Sequence, residues 1–417
     1  MKDGSAYDVL VVGGGIAGSA FGRAMARAGK HVLIVEKSSQ FRDRIRGEVL
    51  LPWGGVEAIE LGIHDILLGS CGQHLPREYF IRDGAASTPR EFRTTTPRGN
   101  GIVSFYHPDM QEVFLAEAGR CGCELWRGVS VSSVEIGRVP RVRVETDDGP
   151  REVEASLLVG ADGRDSQVAT LLGFRRSRDP PQLYSGGLQL EGSIPADQAL
   201  YFYQDGHNGR GAILVSNRPG NYRAYVFHHV NALKRRWSGE RDYNNAKEHL
   251  ISVGAPREWI ENLKPHGVHA TFDGAHQWVS DPVCGNCVLI GDAAGSSDPV
   301  WGCGLSRTLR DARLLQAHLL SEGDWSKAVA GYAADHNDFF HRLRRAEHVN
   351  AALFFTMGES GDALRHRAFD LLTRHPELAP DTAGLGPEAM CTDASEEALL
   401  GHVQWRGAEA SPQLQPA

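Results

Sequence analysis

The segment that most constrains this chain runs from Tyr7 to Glu36. Tyr7 to Val12 reads YDVLVV, a continuous apolar run that suits a parallel strand buried on both faces. Gly13-Gly14-Gly15-Ile16-Ala17-Gly18 follows at once, then an alanine-rich stretch expected to be helical through Ala28, with Gly29 as its stop. A second apolar run, His31 to Val35, ends in Glu36. Strand, G-x-G-x-x-G, helix, strand and terminal acid together form the β-α-β unit that receives a dinucleotide. Gly13 allows the tight turn, Gly15 lets the backbone approach a pyrophosphate, and Gly18 lets the helix lie close to the strand. Ile16 and Ala17 open the helix, where unpaired N–H groups and the dipole attract an anion. Glu36 is placed to accept hydrogen bonds from a ribose diol, and its charge opposes a 2′-phosphate.

Two later loops follow strands in the same manner. Ala155 to Val159 leads into Gly160-Ala161-Asp162-Gly163, and Cys287 to Ile290 leads into Gly291-Asp292-Ala293-Ala294-Gly295. The second loop continues through Pro299, Trp301, Gly302, Cys303 and Gly304 into a helix expected from Leu305 to Leu320. The chain has 417 residues and a formal charge of −8, with Lys and Arg totalling 44 against 52 acids. That balance argues against a nucleic-acid binder, which shows a basic face. Glycine is abundant, at 48 residues without a period, and the informative ones sit in these three loops.

Taken in order, the three loops resemble the para-hydroxybenzoate hydroxylase-like (class A) FAD-dependent monooxygenases, whose wider superfamily includes flavin-dependent halogenases. The resemblance spans roughly residues 5 to 375. It implies an α/β fold: a Rossmann-like, glutathione-reductase-type FAD-binding domain, an inserted mainly antiparallel β-sheet substrate domain, and C-terminal helices. The expected FAD-binding segments are 1–75, 100–178 and 276–390. The substrate segments are 76–99 and 179–275, and 391–417 is expected as a partly flexible tail with 410–417 frayed.

The resemblance also implies roles. Arg46, in Arg44-Ile45-Arg46-Gly47, matches the arginine that contacts the flavin or incoming NADPH. Lys37 matches a basic residue near the adenosine, and Val131 the position whose backbone meets adenine. Asp162 with Gly163 matches the D-G motif by the pyrophosphate, and Gly291 with Asp292 the G-D motif on the ribityl chain. Pro299, Gly302, Gly304 and Leu305 match the loop under the isoalloxazine. A helix starting near Gly304 would meet the anionic edge of the reduced ring with N–H donors. His107 stands where the family has Arg or Gln. It reads either as a flavin contact whose protonation varies near pH 6.5 or as a surface histidine at a helix start.

From about 179 to 275 the pattern changes to short β-rich runs: Leu183 to Glu191, Leu200 to Asp205, Gly211 to Ser216 and Tyr222 to Val230. Arg218-Pro219-Gly220-Asn221 fits a type II turn. Tyr203, Tyr225 and His228 are the candidate substrate contacts, and Arg218 is either a carboxylate clamp or a solvated cation. Trp325 to about Arg374 reads as helical. Cys284-Gly-Asn-Cys287 reads as free thiols flanking a turn, and no metal site is expected. The longest uncharged run, Val9 to Gly22, is too short to span a membrane.

The reading is therefore a cytoplasmic enzyme, monomer or homodimer, with FAD, transient NADPH or NADH, and O2. The family implies hydroxylation of a small aromatic or conjugated molecule through a flavin C4a-hydroperoxide, chemistry the flavin itself supplies. A halogenase is the alternative, weakened by the lack of W-x-W-x-I-P. A reductase or desaturase of the geranylgeranyl reductase type is the third.

Overall fold

In the computed structural model, which describes residues 7–137, 139–196, 198–232, 235–386 and 391–403, Tyr7–Val12 is the centre of a parallel sheet. The strands run in the order Glu124–Arg127, Val32–Glu36, Tyr7–Val12, Gly149–Gly160 and Cys287–Leu289. Val9 faces Val32 on one side and Leu157 on the other. Its apolar run is buried on both faces because helices Ile16–Arg27 and Gly304–Ser321 cover one side, with Phe21, Met25, Leu309 and Leu315 in one cluster. A hairpin of Ser130–Glu135 and Arg141–Thr146 covers the other, contributing Val131, Val142 and Val144. The strand expected at Ala155 to Val159 is the inner half of Gly149–Gly160, whose outer half pairs antiparallel with that hairpin.

The second sheet has the order Lys264–Asp273, Leu183–Glu191, Asn221–His229, Arg210–Arg218, Ala199–Asp205 and Arg77–Arg82. The pairings are antiparallel except that Ala199–Asp205 runs parallel to Arg77–Arg82. The expected strand ends differ from the observed ones by at most two residues. Gly220 has φ +72 in the turn after Pro219, as a type II turn requires. Both faces are covered. Leu188, Tyr203 and Val226 pack beneath helices Tyr243–Ser252 and Arg257–Asn262. On the opposite face Phe202, Ile213 and Phe227 meet Trp301 and Phe355.

The C-terminal helices depart from expectation at two points. The stretch read as one helix to Arg374 is two, Trp325–Phe355 and Gly358–Arg374. Where the second begins, Gly358 takes φ +70 and donates its N–H to His207 O, while Arg365 bonds Thr356 O. Contacts from the distant 205–209 turn thus end a pattern that sequence periodicity would continue. Within the expected tail, Asp393–Leu400 is a helix with a Thr392–Ser395 capping box, and its Leu399 and Leu400 are buried against Val349, Leu353 and Ala368. Residues 410–417 lie outside the described residues. Among the described residues no helix is long and apolar enough to cross a membrane.

Candidate functional site: one cavity between two sheets

Seventeen of the residues singled out in the sequence line a single cavity of about 350 Å³, a size typical of ligand sites. At its first end Gly13, Gly15, Ile16 and Ala17 present backbone at the start of the first helix. Gly13 has φ +107, and a Cβ there would strike the Ala161 carbonyl, so the turn admits only glycine. Gly18 lines no part of the cavity. A side chain on it would collide with Gly13 O, which is the close helix–strand approach expected of it. Glu36 accepts N–H bonds from Gly14 (2.8 Å) and Ser38 (2.7 Å), fixing the loop while its carboxylate borders the cavity. Lys37 and Val131 complete this end.

Along the floor, Asp162 caps the helix Gln167–Leu171 through its Oδ2, accepting from Gln167 and Val168. Its Oδ1 is buried without a partner among the described residues, as are the hydroxyls of Ser296 and Ser297, and all three residues line the cavity with Gly163. Asp292 also lines it and accepts from Arg307 Nη2 at 2.8 Å. Arg307 is fully buried and bonds Gly291 O and Asp311; Asp311 in turn accepts from Gly291 N–H and meets His336 Nδ1 at 2.9 Å. Gly291 itself, at φ +61, lies just behind the lining, against Ala17 and Thr308.

The next segment passes through Pro299, Gly302, Gly304 and Leu305, all in the lining, and puts the start of helix Gly304–Ser321 at the cavity wall. Glu347, fully buried on the long helix, accepts from Asp298 N–H (3.2 Å) and meets His276 Nε2 (2.6 Å), which anchors this segment. Burial pushes Glu347 up to about 8 and Asp298 up to about 7.

At the other end stand Arg46, His107 and Tyr225. Arg46 is exposed, next to Ile45, a β-branched residue held at φ +54 with its side chain seated against Gly187. Four side-chain contacts from the second sheet hold this strained loop. Tyr225 Oη donates to Arg46 O (2.8 Å), and Arg223 bonds Glu48 (2.8 and 3.0 Å) and Asp43 (2.8 Å). Asn217 donates to Glu48 as well (2.5 Å).

His107 is the first residue of helix His107–Arg120 and borders the cavity with Nδ1 2.8 Å from Gly47 O. Desolvation brings its imidazole down to about 4, so the expected titration near pH 6.5 gives way to a neutral ring whose Nδ1 proton goes to Gly47.

Tyr203 and His228 must be moved out of the site. Tyr203 is 1 % exposed and stacks with Tyr201 on the far face of the sheet, and His228 lies on that face beside Trp237 and His249. Strand alternation is the reason: Tyr225 and Phe227 face the cavity, so His228 faces away, and Phe202 rather than Tyr203 shares their side. Arg218 lies over the Tyr106 ring outside the cavity lining. Cys284 and Cys287 face each other across a two-residue hairpin, both free. Asp179, His276 and His348 sit close enough to hold a metal, but Arg344 occupies both Asp179 oxygens.

The cavity fits FAD on its own chemistry. It has a backbone cradle at a helix start, orphaned acceptors along the floor and a second helix start under the far end. A family model described as FAD binding domain matches residues 6–323. The chain belongs to that family. It is 27 % identical over 400 residues, 90 % of each chain, to a 6-methylpretetramide 4-monooxygenase from Streptomyces rimosus. It is 23 % identical, over 77 % of this chain and 78 % of the other, to a 1H-pyrrole-2-carbonyl-[peptidyl-carrier protein] chlorinase from Pseudomonas fluorescens. Among solved structures, p-nitrophenol 4-monooxygenase PnpA from Pseudomonas putida superposes with a TM-score of 0.76 at 16 % identity, covering 95 % of this chain and 97 % of that one. This protein is thus an FAD-dependent enzyme with the monooxygenase fold.

Several residues of the site escaped the sequence reading. Gln111 lines the cavity one helical turn after His107 and 3.6 Å from where a Gly15 Cβ would lie; the i, i+4 spacing is the signal for it. Arg307 and Asp311 carry the same spacing. Glu48, Arg223, Ser185, Ile213 and Phe272 have no local signal, because only the sheet's docking onto the loop brings them there.

Proposed function

We propose that this flavoprotein is a monooxygenase that uses NADPH or NADH and O2 to hydroxylate a small aromatic or conjugated molecule. The observation that carries the reading is the continuity of the cavity. The backbone-lined dinucleotide end and an apolar roof of Ile213, Tyr225, Phe227 and Phe272 share one space, across the loop from Pro299 to Leu305. When bound, FAD supplies hydride acceptance and oxygen activation.

The residues supply the rest. Gly13 to Ala17 would hold the pyrophosphate, and Asp162 and Asp292 the sugar and ribityl hydroxyls. Helix Gly304–Ser321 offers N–H donors and its positive end to charge developing on the ring. The exposed Arg46 suits an anionic nicotinamide cofactor. The aromatic roof excludes water and stacks on a flat substrate. Seven free cysteines suit a reducing compartment and hence a cytoplasmic location.

A halogenase is the second reading, favoured by the resemblance to the chlorinase. Purified, FAD-loaded protein given NADPH or NADH should consume O2 when candidate aromatics are added. If neither nicotinamide reduces the flavin under any condition, the monooxygenase reading fails. Halogenated product from chloride or bromide with a separate flavin reductase would establish the second.

A further inference from the structure

Five residues of the second sheet reach the cavity: Ser185, Ile213, Tyr225, Phe227 and Phe272. Ser185 pairs with Phe227 on one neighbouring strand and with Phe272 on the other, so a hydroxyl stands between two phenyl rings on the cavity face. Directly opposed residues on adjacent strands lie about 4.5–5.5 Å apart. Ser185 is 2 % exposed and its Oγ has no hydrogen-bond partner among the described residues. A buried hydroxyl left unpaired is unfavourable, and such groups in native proteins call for a reason.

The other polar atom on this roof, Tyr225 Oη, is committed to Arg46 O. Among the described residues, none that this sheet contributes to the lining is a cation. Lys37, Arg42, Arg44, Arg46 and Arg164 all come from loops, while Arg223, on the same sheet face, is sealed against Glu48 and Asp43.

Resting on the reading of this space as the substrate chamber, we propose that Ser185 determines specificity by orienting a planar ring bearing a neutral hydrogen-bonding group. That group is a hydroxyl, carbonyl or amine held between Phe227 and Phe272. The second sheet offers a carboxylate beside Ser185 no cation of its own, the lining cations standing on loops, and desolvating a carboxylate there would cost more than desolvating a neutral group.

The test titrates the FAD-loaded protein with 2-naphthol, naphthalene and 2-naphthoate, following the perturbation of the oxidised flavin spectrum. Wild type should bind 2-naphthol about tenfold tighter than naphthalene, the weight of one hydrogen bond, and 2-naphthoate more weakly than 2-naphthol. Ser185→Ala should erase the 2-naphthol advantage while flavin content stays the same and the melting temperature does not fall. Equal affinities for the first two, a preference for 2-naphthoate, a 2-naphthol advantage that survives in S185A, or no binding by any probe would each overturn the assignment. The readout needs no turnover. It therefore separates from the monooxygenase reading, which is judged on nicotinamide oxidation and O2 uptake.

Discussion

The two ends of the cavity are built from different materials. The dinucleotide end is made of backbone: Gly13 to Ala17 at a helix start, with neighbouring glycines where any side chain would collide. The sheet end is made of side chains, Tyr225, Phe227, Phe272 and Ser185, on strands whose other face carries equally aromatic residues such as Tyr201 and Tyr203. Backbone sites restrict which residues can stand there, so they leave a mark on the chain. Side-chain sites on a sheet buried on both faces restrict only which face each residue takes.

The sharpest way to test that contrast is the buried ion cluster of the sheet end. Arg223→Met should destabilise the protein by about 3–5 kcal/mol, because Glu48 would remain buried without its counter-charge, keeping only the Asn217 amide. The loss should show in a urea melt together with weakened flavin reduction, as the loop carrying Arg46 comes free. At the dinucleotide end, Gly18→Ala forces a Cβ onto Gly13 O and should remove about 1–3 kcal/mol and most bound FAD. The flavin absorbance per protein measures it; full occupancy would show that the helix can retreat from the strand.

Between the two ends, the loop at Asp298 predicts a pH effect. Burial raises Glu347 to about 8 and Asp298 to about 7, so their neutral forms belong to the folded state. Their contribution is complete below the ordinary carboxylate range of about 4 and is lost as pH rises through 7 to 8. The melting temperature should therefore decline from pH 6 to 9, and Glu347→Gln should flatten the decline. A steeper fall in the variant would contradict the assignment.

The smallest effect separates two tyrosines. Tyr225→Phe loses the bond to Arg46 O, about 1 kcal/mol, and should slow turnover. Tyr203→Phe, on the far face, should leave the kinetics unaltered. Equal effects would mean that the faces are assigned wrongly.

The sequence by itself determined the β-α-β unit, the three cofactor loops and the four central strands of the second sheet, because each leaves a local pattern: an apolar run, a glycine whose φ or packing admits no side chain, a turn residue. It also brought Tyr225 to notice, but together with Tyr203 and His228, since a period of two residues says which side chains share a face and not which face meets the cofactor. The tertiary structure made that choice. It seated Ile45 against Gly187, closed Glu48 on Arg223, ended a helix at Thr356 against the 205–209 turn, and left one serine hydroxyl unpaired between two phenylalanines. Those contacts join residues far apart in the chain, and no local pattern encodes them.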